Sequence, residues 1–157
     1  MISEKYKRKL LVVVDDTPES NNSLRYACRR ASRAGGSVIL LRVIYPADFQ
    51  HWLAVEERMR QEAREDANEL LERLCQEVKE QWGVESEPLI LEGKTDKVIM
   101  SLIENDLDIK ILVLGSASGK DGPGPLVSQL VGKSSEIRIP VTVVPGELTE
   151  EQIDELT

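Results

Sequence analysis

The sequence predicts an α/β fold: a doubly wound parallel sheet of five strands with helices on both faces. Short, near-continuous apolar runs alternate with longer segments of helical periodicity along the whole chain. Strands covered by helices on both faces read this way, because neither face can be polar. The resulting order is β-α-β-α-β-α-β-α-β, and parallel neighbours need such crossovers, right-handed throughout. With 157 residues, 41% of them hydrophobic and 31% charged, the chain suits one domain whose core needs no disulfide or metal. We assign residues 1–146 to that α/β domain and 147–157 to a short acidic helix or tail.

Residues 9–14 (KLLVVV) form the first strand. A helix over 19–34 follows, with Leu24, Ala27, Cys28, Ala31 and Ala34 at helical spacing and Gly35-Gly36 to end it. Residues 37–44 (SVILLRVI) are the second strand, stopped by Pro46. After a loop or helix entry at 47–52, a long helix runs to about Trp82. Its stripe is Val55, Met59, Ala63, Ala67, Leu70, Leu71, Leu74 and Val78, and Gly83 caps it. SEPLILEG (86–93) is the third strand. Residues 95–105 form a short helix, and IKILVLG (109–115) is the fourth strand. A loop rich in Gly and Pro leads to a helix from about Leu126, whose apolar set runs to Ile137. IPVTVVPG (139–146) is the fifth strand. In the last segment Thr149 and Gln152 are spaced as a capping box.

Net charge is −8, which argues against nucleic acid or an anionic membrane surface, since both need a basic face. No apolar run approaches the roughly 18 residues of a membrane span. The opening MISEKYKRK leads into too short an apolar run for a secretory signal, so a cytoplasmic protein is expected. Cys28 and Cys75 are not paired as CxxC, and a single His makes zinc an unsuitable reading.

The first strand ends in two aspartates, VVVDDTPES (12–20). A phosphorylation-dependent receiver domain shows such a pair. It also needs an Asp ending the third strand, a hydroxyl after the fourth and a Lys after the fifth. Here the third strand ends in Glu92-Gly93 and the fifth in VVPGE; only Ser116 meets its requirement. Helix capping accounts for one of the pair: Asp16 or Thr17 supplies an N-cap oxygen and Pro18 fits the first turn. Asp15 is left at the carboxyl end of a strand, where doubly wound sheets bind ligands. A carboxylate there can accept hydrogen bonds from a ribose or a base.

The loop GSASGKDGPGP (115–125) follows the fourth strand at the same end of the sheet. Glycines let backbone approach a ligand. Gly132-Lys133-Ser134 is not the end of a P-loop, because the glycine required five residues earlier is Val127. Gly122-Pro123-Gly124 fails as a dinucleotide fingerprint at the same residue. Pro123 and Pro125 have no N–H to offer a phosphate. Lys120, Lys133 or Ser128 could compensate, while Asp121 would repel.

The order of these pieces resembles the universal stress protein (UspA-like) family over about residues 7–146. The segments are KRKLLVVVDDTPES, AGGSVILLRVIYP, a long variable second helix, EGKTDKVIMSLIENDLDIKILVLGS and IPVTVVP. The resemblance implies an adenine nucleotide α-hydrolase-like sheet of strand order 3-2-1-4-5. Members of one subgroup bind ATP through Gly, two residues, Gly, nine residues, Gly and then Ser or Thr. Gly119, Gly122 and Gly132 have that spacing, with Lys133 in the hydroxyl position. Alternatively Gly115 is the first glycine, and then Gly119 is one residue late and Gly132 follows after twelve. We prefer the second alignment, because Gly115 directly ends the strand. The resemblance would place Asp15 near ribose or base and the backbone of Val43 against adenine. Gly115, Gly119, Gly132 and Ser134 would surround ribose and phosphates of ATP, with Mg²⁺; turn geometry and helix packing are the other reading of these glycines.

Three functions follow from this reading. The first is a non-enzymatic dimeric binding or signalling module in stress response, sensing ATP and pairing through the strand at 141–144. The second is an ATP-hydrolysing or nucleotidyl-transferring enzyme, with Asp15 and Asp16 on Mg²⁺ and Lys133 on phosphate; His51, in a variable loop, reads as a surface or helix-entry residue rather than a catalyst. The third is a nucleotide-free dimeric adaptor for a protein partner.

Overall fold

The computed structural model describes residues 8–45 and 53–157. Pro46, the loop at 47–52 and His51 lie outside the described residues. Five parallel strands form one sheet: β1 (Lys9–Val13), β2 (Ser37–Ile44), β3 (Ser86–Glu92), β4 (Ile109–Ser116) and β5 (Val141–Pro145). They lie in the order β3-β2-β1-β4-β5, as the resemblance implied. Helices α1 (Pro18–Ala34), α2 (Leu53–Trp82), α3 (Thr95–Asn105), α4 (Pro125–Gly132) and α5 (Glu150–Leu156) complete the fold.

The continuous apolar strands are explained by two cores. Even-numbered residues of β1 and β2 (Leu10, Val12, Val38, Leu40) pack with Ala27, Cys28, Leu71 and Val78 of α1 and α2. Odd-numbered ones (Leu11, Ile39, Leu41) pack with Ile99, Ile103 and Leu130 of α3 and α4. Each fully buried Leu or Ile stabilises by about 1.5–3 kcal/mol. Burial also raises the Cys28 thiol pKa to about 12, so this cysteine is a small core residue.

α1 starts at Thr17, whose side chain accepts from the Ser20 N–H, with Pro18 in the first turn. It ends at Gly35 in the left-handed region, φ 69°. The stripe predicted for α2 buries only from Ala67 onward; Met59 and Ala63 are half-buried and Val55 is 43% exposed. Length is the reason. Thirty residues of helix span about 45 Å, more than strands of five to eight residues can underlie. Pro88 is tolerated because β3 is an edge strand paired only with β2.

The helix expected from Leu126 starts one residue earlier, at Pro125, and stops at Gly132. A 3-10 turn over Ser134–Glu136 follows, so Ile137 is not helical. β5 is shorter than its predicted span 139–146. α5 has the capping box at Thr149 and Gln152. It lies along α1 rather than over the β5 edge: Ile153 is buried, and Arg25 makes two 2.9 Å bonds to Asp154. Among the described residues no helix is long and apolar enough to cross a membrane.

Candidate functional site

The strand order reverses direction between β1 and β4. β2 and β3 lie on one side of β1, β4 and β5 on the other. The helices leaving β1 and β4 therefore diverge to opposite faces, and a crevice opens at the carboxyl ends of these two strands. It has two lobes, of about 290 and 320 Å³, which share Val13, Asp15, Pro125 and Leu126.

Asp15 stands between the lobes. Its Oδ1 accepts from the Thr17 N–H at 2.7 Å and from the Thr17 hydroxyl. Its own N–H donates to Ser20 Oγ at 2.9 Å. Thr17, not Asp16, thus caps α1, and Asp15 braces the cap. One carboxylate edge is fixed by the turn and the residue still faces the crevice. Asp16 is exposed and borders a separate hollow with Arg42 and Asp66.

The first lobe is formed by the start of α1 (Thr17, Glu19, Ser20), the end of β4 (Gly115) and Pro123 to Pro125. Glu19 lies here because the first turn of α1 presses on the strand ends. A Cβ on Gly115 would meet Glu19 O at 2.4 Å, and one on Gly146 would meet Glu19 Cγ at 2.8 Å. The Thr17 hydroxyl, the Glu19 backbone and the Ser118 N–H hold the Glu19 carboxyl below the usual carboxylate range, burial opposing. The loop after β4 is pinched shut by the Ala117 N–H donating to Pro123 O at 2.9 Å. Both prolines line the lobe, and Gly124, at φ 97°, turns the chain into α4.

The second lobe joins Val43 and Tyr45 at the end of β2 with Lys94 and Thr95 at the start of α3 and Gln129 on α4. Its walls mix apolar surface with a few polar groups, the usual composition of a small-molecule site. Beyond it, Lys133 Nζ donates to Asp96 Oδ2 at 2.7 Å, with Asp96 only 1% exposed. The pair holds the Asp96 carboxyl low, chiefly through the Lys133 bond, and raises Lys133. Lys133 is therefore engaged between α4 and α3.

Of the six predicted site residues, the structure brings Asp15, Val43 and Gly115 to one crevice. Gly119 is at the exposed loop tip, Gly132 is the last residue of α4 and Ser134 is in the 3-10 turn; none lines either lobe. α4 takes up residues that the glycine spacing treats as loop. Sequence reasoning missed Glu19, Leu126, Gln129, Lys94 and Thr95. Gly124-Pro125, a glycine before a first-turn proline, was the available signal for α4 and hence for Leu126 and Gln129. Glu19 gave no signal, since nothing local shows which strand ends its helix will press on. No group of three or more His, Cys, Asp or Glu among the described residues is placed to hold a metal ion.

Comparison with known proteins follows the same outline. The model of the universal stress protein family matches residues 7–145. No match was found among curated protein sequences. Universal stress protein UspA from Lactobacillus plantarum is 20% identical with TM-score 0.74, covering 88% of this chain and 98% of that one. A family protein from Arabidopsis thaliana, solved with AMP bound, is 21% identical with TM-score 0.61, covering 88% and 91%. A universal stress protein in complex with cAMP is 13% identical with TM-score 0.62, covering 90% and 99%. At these identities the structural likeness is one of fold.

Proposed function

The chain belongs to the universal stress protein family, and from that premise we propose a non-enzymatic binding module of the stress response that takes an adenine nucleotide in the β1–β4 crevice. One observation carries this reading: Asp15 just beyond β1, Val43 of β2 and Gly115 of β4 border one switch-point crevice. The AMP and cAMP in two structural neighbours support the ligand class. In this reading adenine lies in the second lobe against Val43, and Asp15 accepts from ribose hydroxyls through its unfixed edge. ATP with Mg²⁺ is one member of the class, and the charge of the crevice bears on it. Binding rather than turnover fits the engagement of Lys133 by Asp96, which removes the cation named as a phosphate clamp. Pairing of two copies through 141–144, at the exposed sheet edge, and a cytoplasmic location belong to the same proposal.

Calorimetric titration of nucleotide-stripped protein with AMP tests the ligand reading. We expect micromolar binding that Asp15→Ala weakens about tenfold or more, the size of one lost charge-assisted hydrogen bond. Equal affinity in both proteins contradicts it.

A further inference from the structure

The two lobes differ in charge. Asp15 borders both lobes; Glu19 walls the first, which no Lys or Arg among the described residues lines, while Lys94 and Arg42 border the second. Glu19 is there by construction. Glycine at both 115 and 146 admits the first turn of α1 between the ends of β4 and β5, at separations that a Cβ would violate. Glu19 then lines the first lobe with Gly115 and Ala117, at the start of the β4–α4 loop. Some donors of that loop are missing or already engaged. Pro123 and Pro125 have none, the Ala117 N–H is bonded to Pro123 O, and the Ser128 N–H to Gly124 O. The Glu19 carboxylate stands beside the path a phosphate chain would take toward that loop.

Resting on the adenine-nucleotide reading, we propose that Glu19 is a specificity residue that bars polyphosphate from the first lobe. The chain then prefers adenosine or an adenine mononucleotide to the triphosphate. A triphosphate laid toward the β4–α4 loop meets two carboxylates, Asp15 and Glu19, and like charges at close range repel. A mononucleotide brings less charge to the same carboxylates, and adenosine brings none.

The test is titration of nucleotide-stripped wild type and Glu19→Gln with adenosine, AMP and ATP, each with and without Mg²⁺, at low and at high salt. For wild type, ATP should bind about tenfold or more weakly than AMP, the size of a unit-charge repulsion in a solvent-facing site. Glu19→Gln should close most of that gap. So should salt on the wild type, as the Debye length falls from about 30 Å at 0.01 M to about 8 Å at 0.15 M; this series stands even if the variant folds poorly. ATP binding as tightly as AMP, alone or with Mg²⁺ bridging Asp15 and Glu19, overturns the proposal. So does a gap that neither the substitution nor salt changes. Adenosine binding with ATP preferred removes this inference alone; failure of adenosine and AMP to bind removes the adenine reading and this with it.

Discussion

At position 115 a side chain has no room, because the first turn of α1 lies against the end of β4. Gly115→Ala should therefore destabilise by about 1–3 kcal/mol, as overpacking does, and displace Glu19. Nothing surrounds a Cβ at Gly132, and its φ is ordinary. Gly132→Ala should leave nucleotide affinity unchanged and be neutral or stabilising by about 0.5–1 kcal/mol at a helix position. Urea melts of the two variants check both. Thr17→Ala should cost about 1 kcal/mol through its lost cap. The cap was legible, since Thr17-Pro18 is a local signal, and so was the place of Asp15 at a strand end. The positions of Gly119, Gly132 and Ser134 were not. A spacing motif counts residues along a loop, and here Pro125 winds eight of them into a helix.

Elements hold one another through a few charged contacts. The first half of α2 runs past the core, and Arg60 and Arg64 reach Glu92 at the end of β3 at 2.7 and 2.6 Å. Glu92→Gln should raise amide exchange over 56–64 while leaving 70–80 protected, a difference hydrogen-exchange mass spectrometry resolves. Equal effects on both halves would contradict this. The stripe itself was readable from sequence, but not where it leaves the core, because helix periodicity says nothing about the length of the sheet beneath. Between α3 and α4, Asp96 and Lys133 link pH to stability. The Asp96 carboxyl is lowered from 3.8, so its contribution is complete above that value and is lost as pH falls through the lower folded value. Lys133 is raised from 10.5, so its contribution holds through neutral pH and is lost only in strong alkali. Stability of Asp96→Asn should accordingly change less than wild type between about pH 4 and 2, as urea midpoints at several pH values will show.

The whole molecule is a sheet whose topology makes its own crevice. Class and strand number were legible because both faces of every central strand are apolar. The order of the strands came only with the family resemblance, since alternation does not say where the chain reverses direction. β5 leaves one edge of that sheet open. Sedimentation equilibrium should find a dimer at micromolar concentration, shifted toward monomer by Thr142→Lys, because an edge lysine blocks strand pairing. A wild-type monomer would contradict pairing through β5. In the proposed function, ligand binds at the β1–β4 switch point and not around the glycine spacing at 119–134. Backbone amide shifts on AMP addition locate the ligand most directly. Changes are expected at Asp15, Val43, Gly115 and Leu126, with Gly132 and Ser134 unmoved. Shifts centred on Gly132 to Ser134, with the strand ends silent, would contradict it.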